Sequence, residues 1–548
     1  MKKYLLKSLC VSITLLMSPI LGFSKSNTAT KAQPKLVVGI VVDQMRWDYL
    51  YRYHARYGND GFKRLLREGF SADQTNYNYL PTTTAAGHTS IYTGSVPALH
   101  GIVGNDWYDV DLKRDLYCTE DKTVQPIGTT DKSGLMSPRN MKATTITDEL
   151  RLFSNFQNKT IGISIKDRGA ILPAGHFANA AYWLGDGEGK FISSSYYISQ
   201  LPKWAQAFNE RKVVDSLLNI DWNTLYDINS YTSSTKDDMI QYEGRVKGLE
   251  NVTFPHVLKP SIADNKNIIR TTPWGNTMVR LMAEACIEGE QMGSSKFTDF
   301  LAVSFSSTDM VGHMFGPNSI EVEDTYLRLD QEIAQFLKYL DQKVGKGNYL
   351  LFLTADHGSA HNVQFLKDHK YEVANVPEKV FTKTLNTYLT EQFGTAGIII
   401  DYQNNNLYFN NELITQKGLD KYKIYDAVRT WGKQQKSVND IVAYDRPILL
   451  PAQLTEMVAN GYHAKRVGDM IVILEPGYYT SSYTTGTTHG SWNRYDSHVP
   501  ALFFGWGVKK GNTNRATNIT DIAVTIASIL KIQMPNAAIG QPIVEAIK

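Results

Sequence analysis

Four short apolar runs dominate the pattern of hydrophobic and polar positions along the chain. They span residues 35–42, 160–165, 300–305 and 349–353. Runs of this length without polar alternation are typical of strands buried on both faces, as in parallel sheets. A polar residue follows each run closely, in chain order Asp43, Lys166, Asp309 and Asp356. Because parallel strands end at the same edge of a sheet, we expect the functional site beyond these carboxyl ends.

Segments with helical periodicity lie between the strands. Residues 61–68 form one, residues 320–343 carry a long apolar stripe, and residues 520–532 end before Pro535. Strands that alternate with helices predict an α/β fold, here a three-layer α/β/α sandwich with a mostly parallel central sheet. Two segments, about 170–298 and 361–486, are too long for single crossovers. We expect them to be insertions that form a crown or lid over the site. The alternative is that they are stabilising additions on the far surface of the protein.

The N-terminus predicts export. Lys2, Lys3 and Lys7 precede an apolar run that reaches about residue 21, and small residues follow, which is typical of a cleaved signal peptide over residues 1–24. Residues 25–33 are expected to be a flexible leader to a catalytic domain over 34–548. Cys10 precedes the apolar run, so it is misplaced for a lipoprotein cysteine. We therefore expect a periplasmic or secreted protein.

Composition excludes some partners. The formal charge is +3, and removal of the three signal lysines leaves zero. This favours neither nucleic acid nor acidic membranes, and no later segment has the roughly 20 apolar residues of a membrane span. Cys118 and Cys286 could form one disulfide or remain as two buried thiols. We expect small-molecule substrates and a monomeric chain.

Six side chains of metal-ligand type follow predicted strands or motifs; they are Asp43, Asp309, His313, Asp356, His357 and His489. Carboxylates and imidazoles form the mixed oxygen and nitrogen set that zinc accepts. Asp309 and His313 share one helix face, whereas Asp356 and His357 reach one ion only if the chain turns at Gly358. The histidines near these motifs, His88, His100, His361 and His498, are expected to be hydrogen-bonded structural residues.

Thr84, in LPTTTAAGH, is the candidate nucleophile. Pro81 ends an extended approach and residues 85–93 have helical character, so Thr84 lies near a helix N-terminus that favours an anion. The alternative is that the threonines only cap this helix.

Lys166 and Arg168 are candidate phosphate ligands. On an extended segment, alternate side chains point the same way, so both cations could face one phosphate while Asp167 faces away. The alternative is a solvated charge cluster. Asn105, in HGIVGNDWYD, could donate an amide to another phosphate oxygen, or could be an ordinary residue of a glycine-rich turn.

Five blocks carry a resemblance to a known family. They are LPTTTAAGHTSIYTGSVPALHGIVGNDWYD, SIKDRGAILPAGH, SSTDMVGHMFGPNSIEVEDTYLRLD, LTADHGSAH and GTTHGSWNRYDSHVP. They resemble the alkaline phosphatase superfamily, and within it the PafA-type phosphate-insensitive alkaline phosphatases. The resemblance implies one zinc on Asp309, His313 and His489, and a second on Asp43, Thr84, Asp356 and His357. It implies Thr84 as nucleophile and Asn105, Lys166 and Arg168 as phosphate ligands.

The implied activity is hydrolysis of phosphate monoesters through a phosphothreonine, with two Zn²⁺ per chain. The alternative is a nucleotide pyrophosphatase/phosphodiesterase of the same superfamily, which shares the metal ligands, the threonine and the asparagine. Lys166 and Arg168 favour the monoesterase, since a monoester carries one more negative charge than a diester. A sulfatase would need a Cys or Ser in a CxPxR-type site, and a zinc-dependent phosphate-binding protein without turnover would not need Thr84.

Overall fold

A computed structural model describes residues 33–237, 241–246, 252–446 and 449–548. The predicted signal peptide and most of the leader lie outside the described residues. No helix of the described part is long and apolar enough to cross a membrane. The strands and helices all belong to one unit, which begins at Pro34.

Sixteen strands are present in the described residues. In chain order they are β1 Leu36–Val42, β2 Phe70–Asn76, β3 Asp106–Asp109, β4 Arg114–Tyr117, β5 Pro126–Ile127, β6 Thr160–Ser164, β7 Ala180–Leu184, β8 Phe191–Ser194, β9 Asp299–Phe305, β10 Tyr349–Thr354, β11 Ile399–Gln403, β12 Asn406–Phe409, β13 Val438–Ala443, β14 Met470–Leu474, β15 Ala501–Gly505 and β16 Gly511–Asn518.

The central sheet has ten strands in the order β16-β2-β15-β10-β1-β9-β6-β7-β8-β5. Its five middle strands, from β10 to β7, are parallel to one another. The four predicted strands are β1, β6, β9 and β10, and each boundary differs from its prediction by at most one residue. They are adjacent, and every residue in them is buried. The predicted mostly parallel central sheet is therefore confirmed, with antiparallel strands added at both edges.

Nineteen α-helices accompany these strands in the described ranges. They are α1 Tyr49–Arg52, α2 Phe62–Glu68, α3 Thr84–Thr93, α4 Pro97–His100, α5 Ile146–Phe153, α6 Asp167–Ala174, α7 Lys203–Glu210, α8 Val213–Leu218, α9 Ser261–Asp264, α10 Trp274–Glu290, α11 Ser307–Phe315, α12 Ile320–Leu340, α13 Val363–Asp368, α14 Glu378–Phe393, α15 Asn411–Gln416, α16 Lys421–Gly432, α17 Ala452–Gly461, α18 Arg494–Ser497 and α19 Asp521–Leu530.

The helices that cover the sheet form two groups. One group, α3, α5, α6 and α19, packs together, and so does the other, α2, α10, α11 and α12. The three predicted helices are α2, α12 and α19. The long α12 ends at Leu340 and continues as a π-helical turn over Asp341–Gly345, which accounts for its predicted end at residue 343.

The first predicted insertion needs a correction. Residues 170–298 contain β7 and β8, which continue the central sheet, and α10, which packs against β9. Strands β7 and β8 are hard to recognise because they are short and mix small, aromatic and hydroxyl residues, AAYWL and FISS. The segment is therefore partly sheet and partly added structure, rather than one inserted element.

The second predicted insertion, residues 361–486, contains a sheet of its own. This antiparallel sheet has the order β11-β12-β14-β13. Phe381, Tyr402 and Trp431 lie in a separate hydrophobic core beneath it. The turn between β11 and β12 contacts the segments that carry Asn105 and His489. Asn404 Nδ2 donates to the Asp106 carbonyl at 2.6 Å, and Asn405 Nδ2 donates to the Gly490 carbonyl at 3.5 Å.

The two cysteines of the catalytic unit are free and buried. Cys118 packs in a small cluster with Trp107, and Cys286 lies on α10 in the main core. Of the two alternatives, buried thiols are therefore correct.

Truncation of a central strand residue should destabilise the protein. Leu301 is fully buried in β9, so Leu301→Ala should lower the free energy of unfolding by about 2–5 kcal/mol through lost burial and a cavity. Leu112 is 55% exposed, so Leu112→Ala should change it by less than about 0.5 kcal/mol. Urea denaturation followed by fluorescence measures both; equal shifts in the two midpoints would contradict the expectation.

Candidate functional site

The carboxyl ends of four adjacent strands bring the predicted polar residues together. Asp43 directly follows β1, and Asp356 comes two residues after β10. Asp309 lies in the first turn of α11, which begins just after β9, and Lys166 follows β6. All four side chains are buried. Asp43, Asp309 and Asp356 are called the acidic cluster below.

Lys166 partly neutralises the acidic cluster. Its Nζ lies 2.8 Å from Asp43 Oδ2 and 2.5 Å from Asp309 Oδ2. Burial alone would lower the pKa of Lys166, but the two carboxylates outweigh that effect and raise it. The ammonium group is therefore charged and binds two strand ends together.

One positive charge does not balance three carboxylates. Burial, together with the charges of Asp309 and Asp356, raises the pKa of Asp43 to about 8. Asp43 Oδ1 is buried and has no hydrogen-bond partner among the described residues, the nearest imidazole nitrogen being His357 Nε2 at 3.6 Å. A buried carboxylate oxygen without a donor is costly. Additional positive charge at this point would remove that cost, and a bound cation would supply it.

Three imidazoles present the correct nitrogen to such a cation. In each, Nδ1 lies against a backbone carbonyl: Gly358 for His357 at 2.9 Å, Thr82 for His489 at 2.7 Å, and Thr487 for His313 at 2.9 Å. A carbonyl accepts, so Nδ1 carries the proton and Nε2 keeps its lone pair. Burial and the other two histidines hold the pKa of His489 well below its usual range. These are features of metal-ligating histidines.

Two groups of ligand atoms each lie within 4.8 Å of one another. One contains Asp43, Asp356 and His357, and the other Asp309, His357 and His489. The first agrees with the set implied by the resemblance. The second contains His357 where the resemblance implies His313, although His313 Nε2 lies only 3.1 Å from Asp309 Oδ1. The rings of His357 and His489 are stacked with centroids 3.4 Å apart, so His357 lies between the two groups.

Thr84 is the first residue of α3, at the N-terminus where free backbone N–H groups favour an anion. Its Oγ1 lies 3.3 Å from His357 Nε2. Thr83 is the N-cap residue, but its side chain makes no capping hydrogen bond. Gly87 allows α3 to approach the acidic cluster, since a Cβ there would overlap the Asp356 carbonyl oxygen.

Asn105 lies beside the same helix. Its Oδ1 accepts from the Ala85 N–H at 2.9 Å, which fixes the side chain against the first turn of α3. The amide nitrogen Nδ2 is thereby oriented as a donor near Thr84.

The prediction that Lys166, Asp167 and Arg168 lie on an extended segment is wrong. Helix α6 begins at Asp167, with Lys166 as its N-cap. Lys166 therefore contacts the acidic cluster, whereas Arg168 Nη1 donates to the Tyr117 hydroxyl oxygen at 3.0 Å. Asp167 does not face away from Arg168, because its Oδ1 accepts from the same Tyr117 hydroxyl at 2.8 Å. The run ending at residue 165 gave no sign that a helix starts two residues later.

Sequence reasoning missed Gln44. Its backbone is left-handed, with φ of 65°, and it contacts two members of the acidic cluster. The backbone N–H donates to Asp356 Oδ1 at 3.1 Å, and Nε2 donates to Asp309 Oδ1 at 2.6 Å. The sequence signal that could have identified Gln44 is a side-chain amide directly after the aspartate at the end of a predicted strand.

The four histidines expected to be structural have hydrogen-bond partners within the protein. His100 contacts Ser90, His361 contacts Asn318, and His498 contacts the Asp73 carbonyl. His88 is closer to the site than expected, with Nδ1 2.9 Å from the Thr84 carbonyl and 3.2 Å from Asp356 Oδ2.

Comparison with known proteins identifies relatives of nearly the same length. Residues 37–497 match the model of the type I phosphodiesterase / nucleotide pyrophosphatase family. Alkaline phosphatase PafA of Elizabethkingia meningoseptica is 49% identical over 97% of this chain and 98% of the relative. A protein of Myroides odoratus named calcium-transporting ATPase is 51% identical over 94% of this chain and 95% of the relative.

The solved structures agree. The crystal structure of wild-type alkaline phosphatase PafA superimposes with a TM-score of 0.92 at 49% identity, covering 94% of this chain and 99% of that one. The chain therefore belongs to the type I phosphodiesterase / nucleotide pyrophosphatase family and groups with the alkaline phosphatases of the PafA type.

Proposed function

We propose that this protein hydrolyses phosphate monoesters through a phosphothreonine on Thr84, at a site that holds two zinc ions, after export to the periplasm or the exterior. One observation carries the proposal: Lys166 and three buried carboxylates meet beside the N-terminus of α3, where Thr84 lies. The two relatives reported above are named for reactions that release phosphate, which supports the same chemistry.

The residues present fit two zinc ions. Asp43, Asp356 and His357 would hold one together with Thr84, and Asp309, His313 and His489 would hold the other. Asp43 Oδ1 is buried without a donor among the described residues, and each imidazole has Nδ1 against a backbone carbonyl, which leaves Nε2 as the ligand atom. When bound, the ions would lower the pKa of the Thr84 hydroxyl and stabilise charge on the leaving oxygen.

The chain's own residues would bind, orient and attack the phosphoryl group. Thr84 Oγ1 loses its proton to water and attacks phosphorus, which forms a phosphothreonine and breaks the bond to the leaving oxygen; that oxygen takes a proton from water and departs as the alcohol. The free N–H groups of α3 and the Asn105 amide face the phosphoryl oxygens. Lys166 and Arg168 neutralise their charge. Water then cleaves the phosphothreonine and restores Thr84.

The charge of the site favours monoesters over diesters. A monoester dianion carries one more negative charge than a diester, and two cations matched to the phosphoryl oxygens stabilise the additional charge. The phosphodiesterase alternative has no comparable use for both Lys166 and Arg168. The two activities are thus separated by substrate charge rather than by the metal ligands or Thr84.

Removal of the Thr84 hydroxyl should abolish turnover while the fold is retained. Thr84→Ala should lower kcat by at least about 10³-fold, because the covalent route is lost. The matched control is Thr83→Ala, since the neighbouring Thr83 hydroxyl is buried but bonds to no described group. Phosphate release by the purified variants measures the effect. Near-normal turnover of Thr84→Ala would defeat the assignment and would also admit a non-covalent mechanism.

Metal removal should inactivate the enzyme reversibly. We expect about two zinc ions per chain by elemental analysis, loss of activity with a chelator and recovery on addition of zinc. Asp309→Asn should lower the zinc content because one ligand group loses its carboxylate. One ion or none in fully active protein would refute the two-zinc site.

Loss of both cations should shift selectivity toward diesters. Each of Lys166→Ala and Arg168→Ala should cost about 2–4 kcal/mol of transition-state stabilisation for a monoester, and less for a diester. The measurement is kcat/KM for a monoester and a diester of the same leaving group, in the parent and in the double variant. Zinc content is the control, since Lys166 contacts the acidic cluster. Equal proportional losses of kcat/KM for both substrates would favour the phosphodiesterase alternative.

A further inference from the structure

A cavity of about 570 Å³ lies beside Arg168. Arg168 and Arg270 both line it, and Tyr117 and Trp183 are the aromatic residues of its wall. The three carboxylates of the acidic cluster do not line it. Because Arg168 is a candidate phosphate ligand, the cavity adjoins the place where a substrate phosphate would bind, and its size suits a small organic group.

Arg270 is fixed in the wall of this cavity. Its Nη2 donates to the Leu184 carbonyl at 2.7 Å and the Gly185 carbonyl at 3.2 Å, at the end of β7. Its Nε is buried and has no hydrogen-bond partner in the described part of the chain. Arg168 Nε is also without a partner there. Each guanidinium group is thus anchored at one nitrogen and retains unused donors.

The positive charge at this wall is poorly compensated. Asp186 Oδ1 lies 3.2 Å from Arg270 Nη2, but Asp186 is 66% exposed, so solvent screens the pair. Asp167 accepts from Tyr117 and Thr119, which satisfies both of its oxygens.

The other charged wall residues do not change this balance. Glu120 is held by both terminal nitrogens of Arg114, at 2.7 and 3.1 Å. Lys122 pairs with Glu120 at 3.3 Å, and Lys132 adds a further positive charge to the wall. Burial lowers the pKa of Arg270; Asp186 and Asp167 counteract this only in part, and the charge of Arg168 adds to the lowering. Two partly buried guanidinium groups that repel each other provide a site for an anion.

We propose that this cavity is a subsite for a second anionic group of the substrate, a phosphate or a carboxylate on the leaving alcohol, held by Arg270. The proposal rests on the function proposed above and specifies its substrate class: phosphate monoesters whose alcohol carries another negative charge. Arg168 lies between the two positions, with Lys166 on one side and Arg270 on the other. The competing explanation is that Arg270 only fixes the turn after β7.

Kinetics on matched substrate pairs test the subsite. Glycerol 3-phosphate and 3-phosphoglycerate differ by a carboxylate, and fructose 6-phosphate and fructose 1,6-bisphosphate differ by a phosphate. The parent should favour the more anionic member of at least one pair by roughly tenfold or more in kcat/KM, as a charge-assisted hydrogen bond predicts. Arg270→Gln should reduce that ratio about tenfold, because the amide side chain carries no charge.

The control is Arg211→Gln, which removes an exposed arginine stacked on Phe208, outside the cavity, and should leave both ratios unchanged. No preference in the parent for either pair would overturn the subsite. Equal proportional losses for both members of each pair in Arg270→Gln would show that Arg270 only supports the fold. The pair that responds identifies the second group as carboxylate or phosphate.

Binding separates this proposal from the proposed function. Zinc-loaded Thr84→Ala protein should bind 3-phosphoglycerate or fructose 1,6-bisphosphate more tightly than its partner by calorimetry, and Arg270→Gln in that background should remove the advantage. If the parent hydrolyses neither member of a pair, the proposed function fails while this titration still tests the subsite. Equal affinities within both pairs would refute the subsite even in an active phosphatase.

Discussion

Three carboxylates buried at the ends of adjacent strands are the constraint on which the rest of this structure depends. Asp43, Asp309 and Asp356 repel one another in a place from which water is excluded, and Lys166 supplies one compensating charge. Such an arrangement is costly unless something binds there. The sheet tolerates it because its central strands are fully buried, largely apolar and paired along their length, so that burial elsewhere offsets the local cost.

Much of this arrangement could be predicted from the sequence because strands buried on both faces leave a strong signal. The apolar runs before Asp43 and Asp356 predicted both the strands and the position of the candidate site at their carboxyl ends. Asp309 and His313 followed from helical spacing. These inferences depend only on local hydrophobic periodicity, which can be recognised in a single sequence.

What failed depended on information that local patterns do not hold. The helix start at Asp167 changes the direction of Arg168, and the preceding apolar run continues smoothly into that start. The strands β7 and β8 are short and mix small, aromatic and hydroxyl residues, so neither forms a recognisable apolar run. Gln44 was missed because its left-handed backbone is set by contacts with residues more than 250 positions away. The sharing of His357 between two groups of ligand atoms is likewise a purely tertiary property.

The segment that carries His489 also orients His313. The Thr487 carbonyl accepts from His313 Nδ1, and His489 follows two residues later. Displacement of this one segment would remove one proposed ligand and release the orientation of another at the same time. Exchange of an ion at the proposed site should therefore be slow and concerted rather than stepwise, so that resistance to metal loss would be set by the opening of a single loop.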